Sequence, residues 1–288
     1  MSKVYCSVYN GLGNQLFGYA LGMHISKNYN KTLYIDLTKL NFINSLSTIG
    51  FKKDTKRKYE LHKLGFVHPV KNVHHSGFSK VLKNIIGEKY LYADFRKSHL
   101  ALNQVSKTQH IHSIGWGDFN IVKEIIPELR EQLSPNFEYT PQIEEARKII
   151  LESNSVAIHV RRSDYLDSKI GKRFGGICTD SYYTNAINAI KGKVENPNFI
   201  IFSDDIEYVK NNMDIENSYI VDGNAGYVDL YLMSLCKHFI LANSTFSFWA
   251  AILNKLKTKV VCVPEYWYNK PLENECYIPE EWMKIPIE

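Results

Sequence analysis

The run SVAIHVRRSDYLD (residues 155–167) carries an apolar stretch straight into two adjacent arginines, Arg161 and Arg162. Neighbouring guanidiniums repel each other, so the pair calls for negative charge nearby. Two arrangements supply it: a diphosphate gripped by both planar forks through charge-assisted hydrogen bonds, or two separate ion pairs, one of them with Asp164. In an extended chain His159 and Arg161 project to one side and Arg162 to the other, which gives the two arginines different duties.

Three more stretches could carry chemistry. Residues 10–15, NGLGNQ, place two glycines where a strand would turn into a helix, so backbone can approach a ligand and the helix start can offer N–H groups. A tight turn with a packing glycine explains the same residues, although Asn14 and Gln15 are polar where a helix would already have its cap. In FSDD (residues 202–205), Asp204 and Asp205 suit a metal ion, a ribose hydroxyl or guanine edge, or the cap of a following helix, but they lack DxD spacing. In ANSTFSFW (residues 242–249), Asn243, Ser244, Thr245 and Ser247 gather hydroxyls and donors suited to a phosphate, where capping accounts for one of the four.

These stretches need a scaffold that brings them to one edge, and hydrophobic periodicity supplies it. Residues 3–9 alternate as a strand and residues 16–25 recur at helical spacing before the short strand TLYID, a βαβ start. Little is assignable between residues 38 and 135. From Thr140, an N-cap with Pro141 at the first helical position, strands at residues 155–160, 198–202, 218–221, 239–241 and 259–263 alternate with helices. One of these helices begins at Ser181 with Asp180 as its cap. Near-continuous apolar strands in βα alternation predict a parallel, doubly wound α/β sheet, in which ligands lie beyond the carboxyl ends of the strands. All four polar stretches fall at such ends.

The chain of 288 residues, 44% hydrophobic, is long enough for two domains. The expected division is residues 1–150, residues 151–265, and a tail, 266–288, packing back on the first domain. The five cysteines are scattered, without a CxxC pair, as expected of reduced cytosolic thiols and not of a disulfide framework or zinc site. No run has signal-peptide or membrane-spanning character, so a cytoplasmic location is expected. A net charge of +5 without aromatic interleaving does not suit nucleic acid as a partner. The one basic run, KKDTKRK (residues 52–58), reads as a solvated loop or as a contact for an anionic membrane surface or phosphate-bearing substrate.

Taken together, NGLGNQLFGYALG, AIHVRRSDYLD, FIIFSDD and DLYLMSLCKHFILANSTFSFWAAIL resemble, in order and spacing, the bacterial α-1,2-fucosyltransferases of glycosyltransferase family eleven. The resemblance implies a GT-B-like fold of two Rossmann-like halves with parallel sheets, the GDP-sugar in the C-terminal half and the acceptor mainly in the N-terminal half. It implies inverting, metal-independent transfer of L-fucose from GDP-L-fucose to a hydroxyl, typically of a galactoside, with no cofactor beyond the donor; GDP-colitose is the alternative donor. A non-catalytic GDP-sugar-binding module and a metal-dependent phosphohydrolase using Asp204 and Asp205 are the rival classes. By the resemblance Arg161 and Arg162 hold the diphosphate, Asn243, Ser244, Thr245 and Phe246 line the nucleotide pocket, Asp204 or Asp229 contacts the nucleoside, and Asn14 faces the sugar or β-phosphate. Arg161 is the expected leaving-group stabiliser. Asp164, with His159 behind it, is either a general base or an arginine-orienting group. Bacterial members often act on lipid-linked glycans, so peripheral contact with the inner membrane face is a further expectation. Two positions depart from the family pattern: Asn10-Gly11 stands for the usual Gly-Gly, and Ser163 for a glycine after the arginines.

Overall fold

The computed structural model describes residues 2–48, 56–71, 90–94, 110–114, 119, 123–166, 168–269 and 278–288. They form two α/β units, Met1–Asn136 and Phe137–Glu288.

In the first unit β1 (Lys3–Ser7) runs into α1 (Leu12–Asn28), then β2 (Thr32–Asp36) into α2 (Thr38–Thr48); β3 (Tyr90–Asp94), β4 (His110–Ile114) and α3 (Ile126–Gln132) follow. The four strands are all parallel in the order β2-β1-β4-β3. Helix α1 lies close on β1 because its small residues permit it: a Cβ on Gly22 would meet the Cβ of Cys6 and Cδ1 of Leu33, each at 2.8 Å. The turn between β1 and α1 holds Asn10 at φ 63°, the left-handed region in which asparagine is the most tolerant side chain after glycine. Asn10 thus performs locally what a glycine would, and Gly11, at φ −69°, needs no special freedom.

The second unit begins with α4 (Pro141–Glu152), whose cap Thr140 accepts a hydrogen bond from the Ile143 amide at 3.3 Å. Its strands are β5 (Asn154–Val160), β6 (Pro197–Ser203), β7 (Ser218–Val221), β8 (His238–Ile240), β9 (Val261–Pro264) and β10 (Met283–Ile285). Between them lie α5 (Ser168–Phe174), α6 (Asp180–Lys191), α7 (Ile206–Asn212), α8 (Gly226–Leu235) and α9 (Thr245–Leu253). All six strands are parallel, in the order β10-β9-β8-β5-β6-β7. Central strand β5 is covered on both faces, and Val156, Ile158 and Val160 pack in one core with Tyr182, Ala186, Phe199 and Ile240.

The expected parallel α/β architecture is present, with differences in detail. Helix α4 falls in the second unit, where Phe137 and Tyr139 pack around Tyr231 of α8, with ring centroids 5.8 and 6.3 Å away. The described end of the tail adds β10 to the second sheet, and the Thr179 hydroxyl donates to the Ile287 carbonyl at 2.6 Å; an unpaired edge on β9 is thereby covered. The cap of α6 is Thr179, which accepts from the Tyr182 amide at 3.1 Å, with Asp180 the first helical residue. Strand β4 inserts between β1 and β3, although HIHSI offers only two apolar residues as a signal.

Candidate active site

The in-register pairing of β5 with β6 runs from Asn154↔Pro197 to Val160↔Ser203, so the residues that follow both strands emerge together. Arg161 and Arg162 therefore meet Asp204 and Asp205. Nη1 of Arg161 lies 3.0 Å from Oδ2 of Asp204, and Nε of Arg162 lies 3.3 Å from Oδ2 of Asp205. Asp204 also accepts from the Arg162 amide at 2.8 Å and the Ser163 amide at 3.2 Å, so one carboxylate binds the turn and orients a guanidinium. Ser163, at the position where the family pattern has glycine, uses its hydroxyl to donate to the Asp204 carbonyl at 3.0 Å. Asp205 caps α7 by accepting from the Tyr208 amide at 3.1 Å. The two arginines are thus held by separate aspartates, each 43 residues away in sequence. Asp164 lies in the 3₁₀ turn Ser163–Leu166; its side chain is outside the described residues.

Aromatic rings complete the mounting. The Arg162 guanidinium sits 3.4 Å from the ring centroid of Tyr208, and Arg161 sits 5.8 Å from that of Tyr165. Tyr165 stacks on Phe174 and donates its hydroxyl to the Asn243 carbonyl at 2.8 Å. Both arginine side chains keep a fifth to a third of their surface exposed, so their charge stays open to a ligand. Tyr165 and Tyr208 were missed by sequence reasoning. Their only local signal is position, one just after the arginines and one in the first turn of the helix that Asp205 caps.

His159 is buried beneath this edge. Its carbonyl accepts from the Tyr183 hydroxyl at 3.0 Å, its ring lies 5.4 Å from that of Phe246, and its buried Nδ1 has no hydrogen-bond partner among the described residues. Burial, with the Arg161 charge adding to it, pushes its pKa down to about 3, so the imidazole is neutral at physiological pH. A neutral ring behind a strand end suits a supporting part better than proton transfer from solvent.

The stretch at residues 242–249 divides its polar groups between fold and edge. The Asn243 amide is buried and donates to the carbonyls of Phe174 and Trp267 at 3.0 and 3.1 Å, tying two loops together. Ser244 caps α9 by accepting from the Phe246 amide at 3.3 Å, and Ser247 turns its hydroxyl inward to the Ala242 and Ser244 carbonyls. Thr245 and Phe246 are half-buried at the start of α9, where the helix end favours an anion. Asp229, on α8, accepts from Asn224 at 3.2 Å, and burial, opposed by Asn224 and helped by Asp222, raises its pKa to about 7. Asn14 is half-buried in the first turn of α1, in the first unit. Among the described residues no three metal-ligating side chains come together, and Asp204 and Asp205 are each engaged by an arginine.

A parallel α/β unit whose central strand ends in two mounted guanidiniums, next to a hydroxyl-capped helix start, offers the cations and helix N–H groups that a phosphate-bearing ligand requires, and the two-unit architecture is of the GT-B type. Comparison with known proteins agrees. The model of Glycosyl transferase family 11 matches residues 68–286, and the chain belongs to that family; it is a glycosyltransferase. It is similar to an Escherichia coli α-1,2-colitosyltransferase (28% identical, covering 99% of each chain) and to the O-antigen biosynthesis glycosyltransferase WbnK of Escherichia coli (25% identical, 92% and 95%). It is also similar to human galactoside α-(1,2)-fucosyltransferase 1, at 28% identity over 54% of this chain and 48% of that one. Among solved structures, the NodZ α-1,6-fucosyltransferase soaked with GDP-fucose shares the fold with a TM-score of 0.51 at 12% identity, covering 88% of this chain and 92% of that one.

Proposed function

We propose that the chain transfers L-fucose from GDP-L-fucose, with inversion, to a hydroxyl of a glycan, the O2 of a galactoside, in O-antigen or related polysaccharide synthesis. The observation that carries this reading is the arginine pair at the end of β5, each member mounted on its own aspartate. As the bond to the sugar breaks, negative charge grows on the departing diphosphate while the sugar takes on oxocarbenium character. Cations already held in place stabilise that charge without reorganising, and removing one such positioned group typically costs on the order of 3 kcal/mol. Arg161 carries most of this stabilisation and Arg162 assists it, with Thr245, Phe246 and the start of α9 completing the nucleotide side. Charge supplied by guanidiniums makes a divalent metal unnecessary in this reading. Asp164, two residues after Arg162, is the carboxylate assigned to the acceptor proton or to holding an arginine.

Similarity to an α-1,2-colitosyltransferase along nearly the whole chain supports a second reading, with GDP-colitose as donor. Among the described residues no helix is long and apolar enough to cross a membrane. In this reading a lipid-linked acceptor is met by peripheral contact at the inner membrane face. GDP release measured with GDP-fucose and GDP-colitose against a galactoside panel, with and without chelator, and the anomeric configuration of the product by NMR, test all of this. Strict dependence on an added divalent ion, or retention of the donor's anomeric configuration, would refute the mechanism.

A further inference from the structure

The basic run at residues 52–58 looks in sequence like a loose surface arm, yet its described part is built into the first unit. Asn44 of α2 grips Arg57 at both backbone groups: its Nδ2 donates to the Arg57 carbonyl at 2.7 Å, and its Oδ1 accepts from the Arg57 amide at 3.0 Å. Gln15 of α1, only 1% exposed, holds the next residues. Its Nε2 donates to the carbonyls of Asn10 and Lys58 at 3.0 and 2.8 Å, and its Oε1 accepts from the Glu60 amide at 3.4 Å. Behind this segment the 3₁₀ turn Leu61–Leu64 buries Leu61 and Leu64 completely.

Two side-chain amides from two different helices therefore fix the backbone of residues 57–60. They do so beside the turn after β1, at the carboxyl edge where a parallel sheet receives ligands. The clamp bonds go to main-chain groups of this segment. Lys58 is exposed, while Glu60 is half-buried among the charges of Lys58, His62 and Arg57. Nearby, the Lys39 ammonium lies 3.6 Å from the ring centroid of Tyr9. A lone phosphate would be repelled by the carboxylate. A sugar hydroxyl, which donates to a carboxylate and accepts from an ammonium, satisfies both signs at once.

Resting on the transfer reading above, we infer that residues 57–60 form the saccharide-recognition wall of the first unit, with Glu60 and Lys58 contacting acceptor hydroxyls and Gln15 and Asn44 as positioning residues. The second unit supplies the cations for the donor; a transferase needs a second, neutral polyhydroxyl subsite, and this edge has the fixed mixed-sign groups for one. The wall is preorganised because its backbone bonds exist without ligand, which lowers the ordering cost of binding.

The test uses the full chain, kinetics with donor and acceptor varied separately, and amide hydrogen exchange at residues 57–61 with and without a saturating galactoside. Glu60→Gln keeps shape and every clamp bond. It should raise the acceptor KM roughly tenfold, the loss of a charge-assisted hydrogen bond, and leave the donor KM in place. Gln15→Met should speed exchange at residues 57–61 and raise the acceptor KM at least as much, again without moving the donor KM. An unchanged acceptor KM in Glu60→Gln, or equal shifts in both constants, overturns the inference. If the unaltered chain turns over no GDP-sugar with any acceptor, the transfer reading fails instead; the exchange experiment then decides alone, protection by the galactoside supporting the wall and its absence overturning it.

Discussion

Replacing Asp204 by Asn separates two duties that a carboxylate at this edge can have, orienting an arginine or binding the nucleoside. Asp204 takes three hydrogen-bonding contacts, from Nη1 of Arg161 at 3.0 Å and from the amides of Arg162 and Ser163 at 2.8 and 3.2 Å. Asparagine can keep the bond from the Arg162 amide through its oxygen. Its NH₂ group then faces two other donors, the Ser163 amide and the Arg161 guanidinium, so two contacts are lost and become repulsive. Hydrogen bonds to a charged group are worth about 1.5–3 kcal/mol each, and partial exposure of the pair lowers the electrostatic share, which leaves about 2 kcal/mol in all. For a unit of this size that corresponds to a melting temperature lower by about 4–8 °C. Arg161, released from its mount, must be reoriented in each turnover, and a loss of about 1.4–2.8 kcal/mol of transition-state stabilisation is a 10–100-fold fall in kcat. Calorimetry and steady-state kinetics read both numbers, and competition by GDP and by guanosine separates the duties. Orientation predicts weaker GDP competition with guanosine unaffected. A variant that loses guanosine affinity and keeps kcat would refute the reasoning.

Two further outcomes follow from the packing of each unit, one in the second and one in the first. His159 has its folded pKa held near 3 against an ordinary value of 6.5, so the unfolded chain takes up this proton first and the folded state loses stability as pH falls from 6.5 towards 3. The slope from this residue is about 1.4 kcal/mol per pH unit; His159→Phe should flatten the acid limb of urea-midpoint measurements by that amount, and parallel limbs for the two proteins would contradict it. Gly22→Val should destabilise the first unit by about 1–3 kcal/mol, because its Cβ would lie 2.8 Å from Cys6 Cβ and Leu33 Cδ1, against a strand that cannot retreat. Chemical denaturation monitored in the first unit would expose an error if the midpoint did not move.

Much of the second unit was legible in sequence. Strand β7 falls on the expected residues 218–221, and Thr140 caps α4, because apolar runs bounded by caps and turns are local signals. The first unit was less legible. β4 sits between β1 and β3 with a half-polar sequence, so its place is set by neighbours that pair with it and not by its own pattern. The basic run shows the same limit: no spacing rule reveals that Asn44 and Gln15 would hold its backbone.

At the candidate site the sequence by itself determined which strand ends are polar and that two guanidiniums need nearby negative charge. Only the tertiary structure decided what answers that need. The register of β5 on β6 brings Asp204 and Asp205 to the arginines, and Tyr208 with them, while Asn243 turns inward to tie loops. Local pattern reports propensity and burial, which depend on neighbours a few residues away. The partner of a charge depends on which strands lie side by side and in what register, a choice made by the packing of the whole sheet.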